Sequence, residues 1–410
     1  MTSRESPGQR SETVRRSNLS AIVRQIHDRG PQSRSELVAR TGLTRSAIRS
    51  LLGEFVSADL LAEERAALGG LPGRPSPVVR PITESAMVLA LELNVDSTAA
   101  AVVGLGGEVL AHRRIDRGRD RRDVDQLVRD AKALVDDMPI VHADRASLIG
   151  VGVAVAGVVR RQDGFVTTAP NLGWSNVALG RKLADALGLD VPITIANDAD
   201  LGALAELRRG AARGADDLVF VSGEVGVGGG IIVDGKPLSG VAGFAGEVGH
   251  LPVNPFGAAC RCGATGCWEV EVGEEALLRG AGRAADGGRA GVDDVLEAAA
   301  RGDSLALASV ARVGAWLGVG LALLVNLLNP RVVVLGGLFG RMYPWVQGTI
   351  DAELDRRALP APRALIRIAP AALGEDAPLI GAAELAFEPF LADPATWLGP
   401  RELLAAAASA

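Results

Sequence analysis

Apolar residues in the first eighty positions recur at the spacing of one helix face. Leu19, Ile22, Val23 and Ile26 fall at i, i+3, i+4 and i+7 and predict a helix ending near Gly30. Ser33-Arg34-Ser35-Glu36 reads as a capping box opening a second helix through Leu37, Val38 and Ala39, with Gly42 placed to end it in a left-handed conformation. Thr44 is placed to cap a third helix. Its apolar face is Ile48, Leu51, Leu52 and Phe55, and its opposite face shows Arg45, Ser46 and Arg49. Two short helices joined by a glycine-containing turn make a helix-turn-helix. Residues 60–65 and 78–82 then read as short strands. The Gly/Pro-rich stretch 69–75 between them reads as a wing with Arg74 at its tip.

The rest of the chain carries a pattern that occurs twice. Residues 88–115 read strand, loop (94–97), strand, tight turn (Gly106-Gly107), strand, and residues 217–238 repeat that order with loop 223–226 and turn Asp234-Gly235. Each meander is followed by helical stretches. A repeated meander with helices predicts a two-lobed α/β body with a ligand cleft between the lobes. A further strand, 191–196, ends in Asn197-Asp198 just before a helix. That pair can cap the helix or face a ligand at the strand's C-terminal end.

Composition adjusts this picture little. Of 410 residues, 48% are apolar and 22% charged, which suits globular units with substantial cores, and the length implies two or three of them. No apolar run approaches the ~18 residues of a membrane span, and the first 16 residues are polar with both charge signs, so a cytoplasmic protein without a membrane partner is expected. Charge is more telling. Residues 1–80 hold 13 Arg against 8 Asp or Glu, a net of +5, while the remaining 330 hold 30 basic against 41 acidic residues, a net of −11. A basic head on an acidic body suits a DNA-reading module carried by a ligand-binding domain. Arg45, Ser46 and Arg49 would meet base edges or phosphates in the major groove, with Ser33, Arg34 and Thr44 nearby and Arg74 in the minor groove.

The sharpest chemical signal is His250 followed by Cys260, Cys262 and Cys267, which are all the cysteines of the chain. Three thiolates and an imidazole make a closed tetrahedral zinc site, structural rather than catalytic because no position stays open. Gly263 and Gly266 let the backbone wrap tightly. Glu247 and Glu269 flank the cluster. They can accept hydrogen bonds from sugar hydroxyls or form surface ion pairs.

With Gly-Glu-x-Gly-His upstream of Cys-x-Cys-Gly-x-x-Gly-Cys-x-Glu, the chain resembles the ROK family of repressors, open reading frames and kinases. Gly223 to Gly240, Pro170-Asn171-Leu172-Gly173-Trp174 and Leu335-Gly336-Gly337 also match family stretches. The resemblance implies an actin-like fold of two RNase-H-like lobes, the sugar-kinase architecture, here behind an α-rich winged helix-turn-helix. It implies sugar contacts from Asn197, Asp198, Glu247, His250 and Glu269, assisted by Asn171, and a homodimer or homotetramer.

The departures are informative. Family kinases open with Asp-x-Gly-Gly-Thr, whereas Glu92-Leu93-Asn94-Val95-Asp96 stands here. Close approach of backbone to phosphate needs glycine, and Asp96 would repel it. The second phosphate loop keeps Gly226 and Gly228 to Gly230, but Val225 replaces a threonine and Glu224 adds charge. The expected function is a sugar-responsive transcriptional regulator, a repressor, with Asp198 a vestigial base, double-stranded operator DNA as partner and a sugar or sugar phosphate as effector. An active ATP-dependent sugar kinase carrying a DNA-binding domain is the alternative. The expected division is a disordered tail (1–16), winged helix-turn-helix (17–82), first lobe (83–200, with helix 375–392 packing back), second lobe (201–374, zinc loop 247–269) and a C-terminal tail (393–410).

Overall fold

The computed structural model describes residues 7–64, 77–118, 123–143 and 147–398. The head comprises α1 (Pro7–Arg29), β1 (Gln32–Ser33), α2 (Arg34–Thr41), α3 (Arg45–Ser57), β2 (Leu61–Glu64) and β3 (Val78–Pro81). Its boundaries follow from local chemistry. The Ser33 hydroxyl accepts from the Glu36 N–H (3.2 Å) while the Glu36 carboxylate accepts from the Ser33 N–H (2.7 Å). Gly42 ends α2 at φ 70°, a conformation disfavoured by a Cβ. Thr44 Oγ1 caps α3 by accepting from the Ala47 N–H (3.2 Å). The apolar faces of α1 and α3 contribute to one core, which buries Leu19, Ile22, Val23 and Ile26 with Ile48, Leu52 and Phe55. The antiparallel sheet β1-β3-β2 forms the base of the wing. The stretch 65–76, with Arg74, lies outside the described residues.

Residues 7–16, expected as tail, are instead the first turns of α1. They have partners far along the chain: Arg15 pairs with Glu54, and Arg16 with Asp393 (2.8 Å). At the other end the expected tail from 393 first makes a 3-10 turn, Pro394–Trp397, whose Trp397 packs on the core shared by head and body.

The first lobe starts with the meander β4 (Met87–Leu93), β5 (Ser97–Gly104) and β6 (Val109–Asp116). It continues through α4 (Val124–Asp136), α5 (Pro139–Ala143), β7 (Leu148–Val155), a small sheet of β8 (Val158–Arg160), β9 (Phe165–Ala169) and β10 (Trp174–Val177), then α6 (Leu179–Leu187) and β11 (Ile193–Asn197). Its main sheet runs β11-β7-β4-β5-β6, with β7 and β11 parallel to β4. Both β4 and β5 are buried along their whole length, hence their nearly unbroken apolar sequence. From β11 the chain passes directly into α7 (Asp198–Arg208), which lies between the lobes.

The second lobe repeats the plan. It comprises β12 (Leu218–Gly223), β13 (Val227–Val233), β14 (Lys236–Pro237), α8 (Trp268–Val272), α9 (Glu274–Gly280), α10 (Gly288–Ala300), α11 (Ser304–Leu328), β15 (Val332–Gly336), α12 (Gly337–Arg357), α13 (Pro360–Leu365) and β16 (Arg367–Pro370). Its sheet order β14-β13-β12-β15-β16 matches that of the first lobe, antiparallel and parallel pairs included. This is the actin-like, two-lobed sugar-kinase fold. Helix α11, 25 residues with an 18-residue stretch of mean hydropathy 1.8, is long and apolar enough to cross a membrane by length and composition, although Arg312 and Asn326 interrupt it. Most of that stretch is buried inside the lobe, against α8, α9 and α12. Finally α14 (Ala377–Ala392) returns to the first lobe and packs on β4, β7 and α7. A Cβ at Gly381 would stand 1.9 Å from the Leu201 carbonyl oxygen, so only glycine lets α7 and α14 cross this closely.

Candidate functional site

Between the lobes lies a cavity of about 470 Å³. Asn171, from the turn joining β9 and β10, and Asn197 and Asp198, from the β11–α7 junction, line its first-lobe side; Glu247, His250 and Glu269 line the other. All six side chains expected to bind a sugar therefore share one cavity. Their roles differ. Asn197 is engaged as the α7 cap: Oδ1 accepts from the Ala199 (2.8 Å) and Asp200 (3.2 Å) N–H groups, and Nδ2 donates to the Gly157 carbonyl (3.1 Å). Asp198 accepts from the Ala199 N–H (2.9 Å). Burial, with Glu224 nearby, pushes its carboxyl up to about 7. Burial likewise raises Glu247 above the usual carboxylate range, though His250 opposes the shift.

On the second-lobe side, one ligand atom from each of His250, Cys260, Cys262 and Cys267 lies within 4.8 Å of the others. The Cys262 and Cys267 sulfurs are 3.6 Å apart, and Cys260 Sγ is 3.8 Å from His250 Nδ1. A tetrahedral zinc with ordinary bond lengths sets ligand atoms about 3.5–3.8 Å apart, so the donor set fits that ion. Glu269 Oε1 lies 2.9 Å from Cys260 Sγ, which sets the carboxylate directly beside the cluster.

The opposite end of the cleft floor is acidic. Glu92, on β4, is 3% exposed. Asn94 Nδ2 donates to Glu224 Oε2 (2.9 Å) and approaches Glu92 Oε1 (3.4 Å). Burial, with the charge of Glu224, pushes Glu92 up to about 8. Burial raises Glu224 as well, against its hydrogen bond from Asn94. Two acids, Glu92 and Glu224, are thus desolvated together where the end of β4 meets the β12–β13 loop.

In the head, Arg45, Ser46 and Arg49 are exposed on one face of α3. Ser33 and Thr44 act as caps, with exposed or half-buried side chains. Arg34 is not free: it makes a two-bond ion pair with Glu63 of the wing base.

Head and body meet in a buried ionic cluster that sequence reasoning missed. His27 of α1, fully buried, packs against Phe387 with ring centroids 4.6 Å apart and planes inclined by 54°. Its Nδ1 accepts from the Gly106 N–H (3.1 Å), so Nε2 carries the proton and donates to Glu384 of α14 (3.2 Å). Arg208 (2.9 Å) and Arg209 (2.7 Å), at the end of α7, also donate to Glu384. Arg209 continues to the backbone carbonyls of His27 and Gly106, both at 2.9 Å. Burial alone would raise Glu384, but His27, Arg209 and Arg208 hold its carboxyl well below the usual range. No short-range pattern could reveal a pair 357 residues apart. Arg261, the residue between Cys260 and Cys262, also lines the cavity, a role that its place in the cysteine motif does not signal.

Comparison with known proteins agrees with this geometry. The ROK family model matches residues 88–388. A xylose repressor from Bacillus spizizenii is 27% identical over 381 residues, covering 92% of this chain and 97% of that protein. A glucokinase from Halalkalibacterium halodurans is 37% identical over 256 residues, covering 58% of this chain and 76% of the enzyme. The crystal structure of a ROK family transcriptional regulator, a homologue of the E. coli MLC protein, superimposes with a TM-score of 0.74 at 26% identity, covering 95% of this chain and 98% of that one.

Proposed function

The chain belongs to the ROK family, and from that membership we propose that it is a sugar-responsive, DNA-binding transcriptional repressor of carbohydrate uptake or metabolism genes, acting in the cytoplasm. One observation carries the reading: a sugar-type cleft is joined by a continuous buried core to a helix-turn-helix head. The repressor and regulator relatives, alike over nearly the whole chain, support it.

In this reading Asp198, Glu247 and Glu269 accept hydrogen bonds from sugar hydroxyls, with Asn171 and His250 completing the set and Asn197 fixing the frame. One structural zinc held by His250, Cys260, Cys262 and Cys267 keeps Glu247 and Glu269 in place. The effector is uncharged. Asp198, Glu224, Glu247 and Glu269 all line the cavity, whereas its one arginine, Arg261, is already paired with Glu275. Where these carboxyls are ionised, a like charge at 4 Å costs on the order of 4 kcal/mol near a protein surface, and where burial keeps them protonated they still supply no cation, so a sugar phosphate is disfavoured. The buried carboxyls of Glu92 and Glu224, which supply no cation to a phosphate, disfavour ATP, and the body senses sugar without phosphorylating it.

In a homodimer, two heads would read a pseudo-palindrome through Arg45, Ser46 and Arg49, with Arg74 in the minor groove. Helix α7 links the two events. Its first turn carries Asp198 in the cavity, and its last carries Arg208 and Arg209 on the head. A sugar that closes the cleft biases the position of α7 and so the spacing of the heads.

The kinase reading has its own support: an Asp198 carboxyl near 7 suits a general base, and the glucokinase relative is alike across the body. Sugar-dependent ATP turnover that Asp198→Asn abolishes would establish it. The repressor reading is tested by gel shift with DNA from the gene's own upstream region. Retardation that one sugar alters is expected, and no retardation under any condition would refute the reading. Glu384→Gln, which leaves two buried arginines under-compensated, is expected to blunt the sugar effect on DNA binding, with sugar affinity largely kept. An undiminished sugar effect would refute the α7 link.

A further inference from the structure

Arg261 stands between two of the zinc-site cysteines, yet its side chain reaches away from them. Nη1 donates to Asn171 Oδ1 (3.2 Å), and Nη2 pairs with Glu275. Asn171 belongs to the first lobe and Glu275 to α9 of the second, so one guanidinium spans the cleft. It also stands between the main cavity and a smaller one of about 130 Å³, since Asn171, Arg261 and Glu269 line both.

The consequence lies in the Asn171 amide. An asparagine side chain offers an acceptor oxygen on one side and a two-hydrogen donor on the other, whereas arginine only donates. Arg261 therefore claims the oxygen. The remaining Nδ2 stands 3.1 Å from the point a Cβ would occupy on Gly226, a point that Glu269 Oε2 approaches to 2.8 Å. A donor and an acceptor thus border the same spot in the cavity. Asp198, Glu247 and Glu269 present acceptors to a ligand, so the orientation of this amide decides whether a sugar meets a donor beside them.

We propose that Arg261 is a positioning residue that determines sugar specificity. It locks the Asn171 amide with Nδ2 facing the ligand and fastens the two lobes across the cleft. Because Cys260 and Cys262 flank it, the metal sets the base of this arm. The selected sugar places an oxygen as acceptor opposite Asn171 and a hydroxyl as donor opposite Glu269. This assignment rests on the sugar-sensor reading above and goes beyond it by naming how one ligand is chosen.

A double-mutant cycle on the full chain tests it, with D-xylose and D-glucose titrated by calorimetry into wild type, Arg261→Ala, Asn171→Ala and the double variant. Arg261→Ala is expected to raise Kd roughly five- to tenfold, the loss of about one oriented hydrogen bond, with zinc content unchanged. In the Asn171→Ala background the same change is expected to have almost no effect, because the residue it acts through is gone. Should Arg261→Ala lose zinc, Arg261→Gln, which keeps a donor on a shorter arm, replaces it in the cycle. Penalties that simply add would overturn the assignment while leaving the sensor reading intact. A wild-type chain that binds neither sugar would overturn both.

Discussion

The two ends of the cleft floor are built from different parts and have become opposites: one end joins two equivalent loops of the two lobes. The β4–β5 loop with Asn94 and the β12–β13 loop with Glu224 occupy corresponding places in two sheets of the same order. Their polar groups answer one another: Asn94 bridges toward Glu224 and Glu92, and burial raises both carboxyls above their usual range. At the other end, the carboxylates are held by a helix cap and a cysteine-histidine loop and line open space. A loop whose groups satisfy one another has nothing to offer a phosphate, whereas acceptors held apart by a rigid frame await a ligand's donors. Sensing and catalysis can separate within one fold because they use different ends of the same cleft.

The largest expected break in this comparison is Cys262→Ser. It should lower zinc from about one ion per chain to nearly none, reduce the melting temperature and abolish the sugar response, because the metal contributes to local folding. Metal analysis checks it; unchanged zinc would refute the ligand set. Next, Asp198→Asn removes a carboxyl acceptor from the sugar end and should weaken sugar binding on the order of 100-fold, with zinc retained, above about pH 7 where the carboxyl is ionised. Calorimetry checks it.

The smallest effect sharpens the acidic end. Glu92 titrates near 8 when folded, above its ordinary value of 4.5. Between those values the folded chain holds a proton that the unfolded chain releases, so stability falls as pH rises through this window and the loss is complete above it. Glu92→Gln removes that loss. Its melting temperature should exceed wild type by about 2–4 °C at pH 8 and match it near pH 4.5. Equal melting temperatures at pH 8 would mean that Glu92 is not held protonated.

What was legible in the sequence was local. The caps at Ser33, Gly42 and Thr44 act within four residues, and the zinc spacing, His250 aside, spans eight, so pattern and geometry coincide. The two meanders were legible because buried strands are apolar throughout. What was hidden depends on contacts between distant segments. Arg16 of α1 pairs with Asp393, 377 residues on, and the role of Arg261 rests on Asn171, 90 residues before it. Arg34 looked available for DNA because Glu63, its partner, lies 29 residues on. Helix α11 escaped notice as a long apolar segment because Arg312 and Asn326 interrupt it.

The central claim is that the cleft accepts an uncharged sugar and no phosphoryl donor. A thermal-shift comparison of the full chain with D-xylose, D-glucose and magnesium-ATP, singly and in sugar–ATP pairs, tests it most directly. The account predicts a rise of several degrees with one sugar, and none from ATP with or without that sugar. A rise with ATP, above all one that requires sugar, would contradict it and make the protein a kinase.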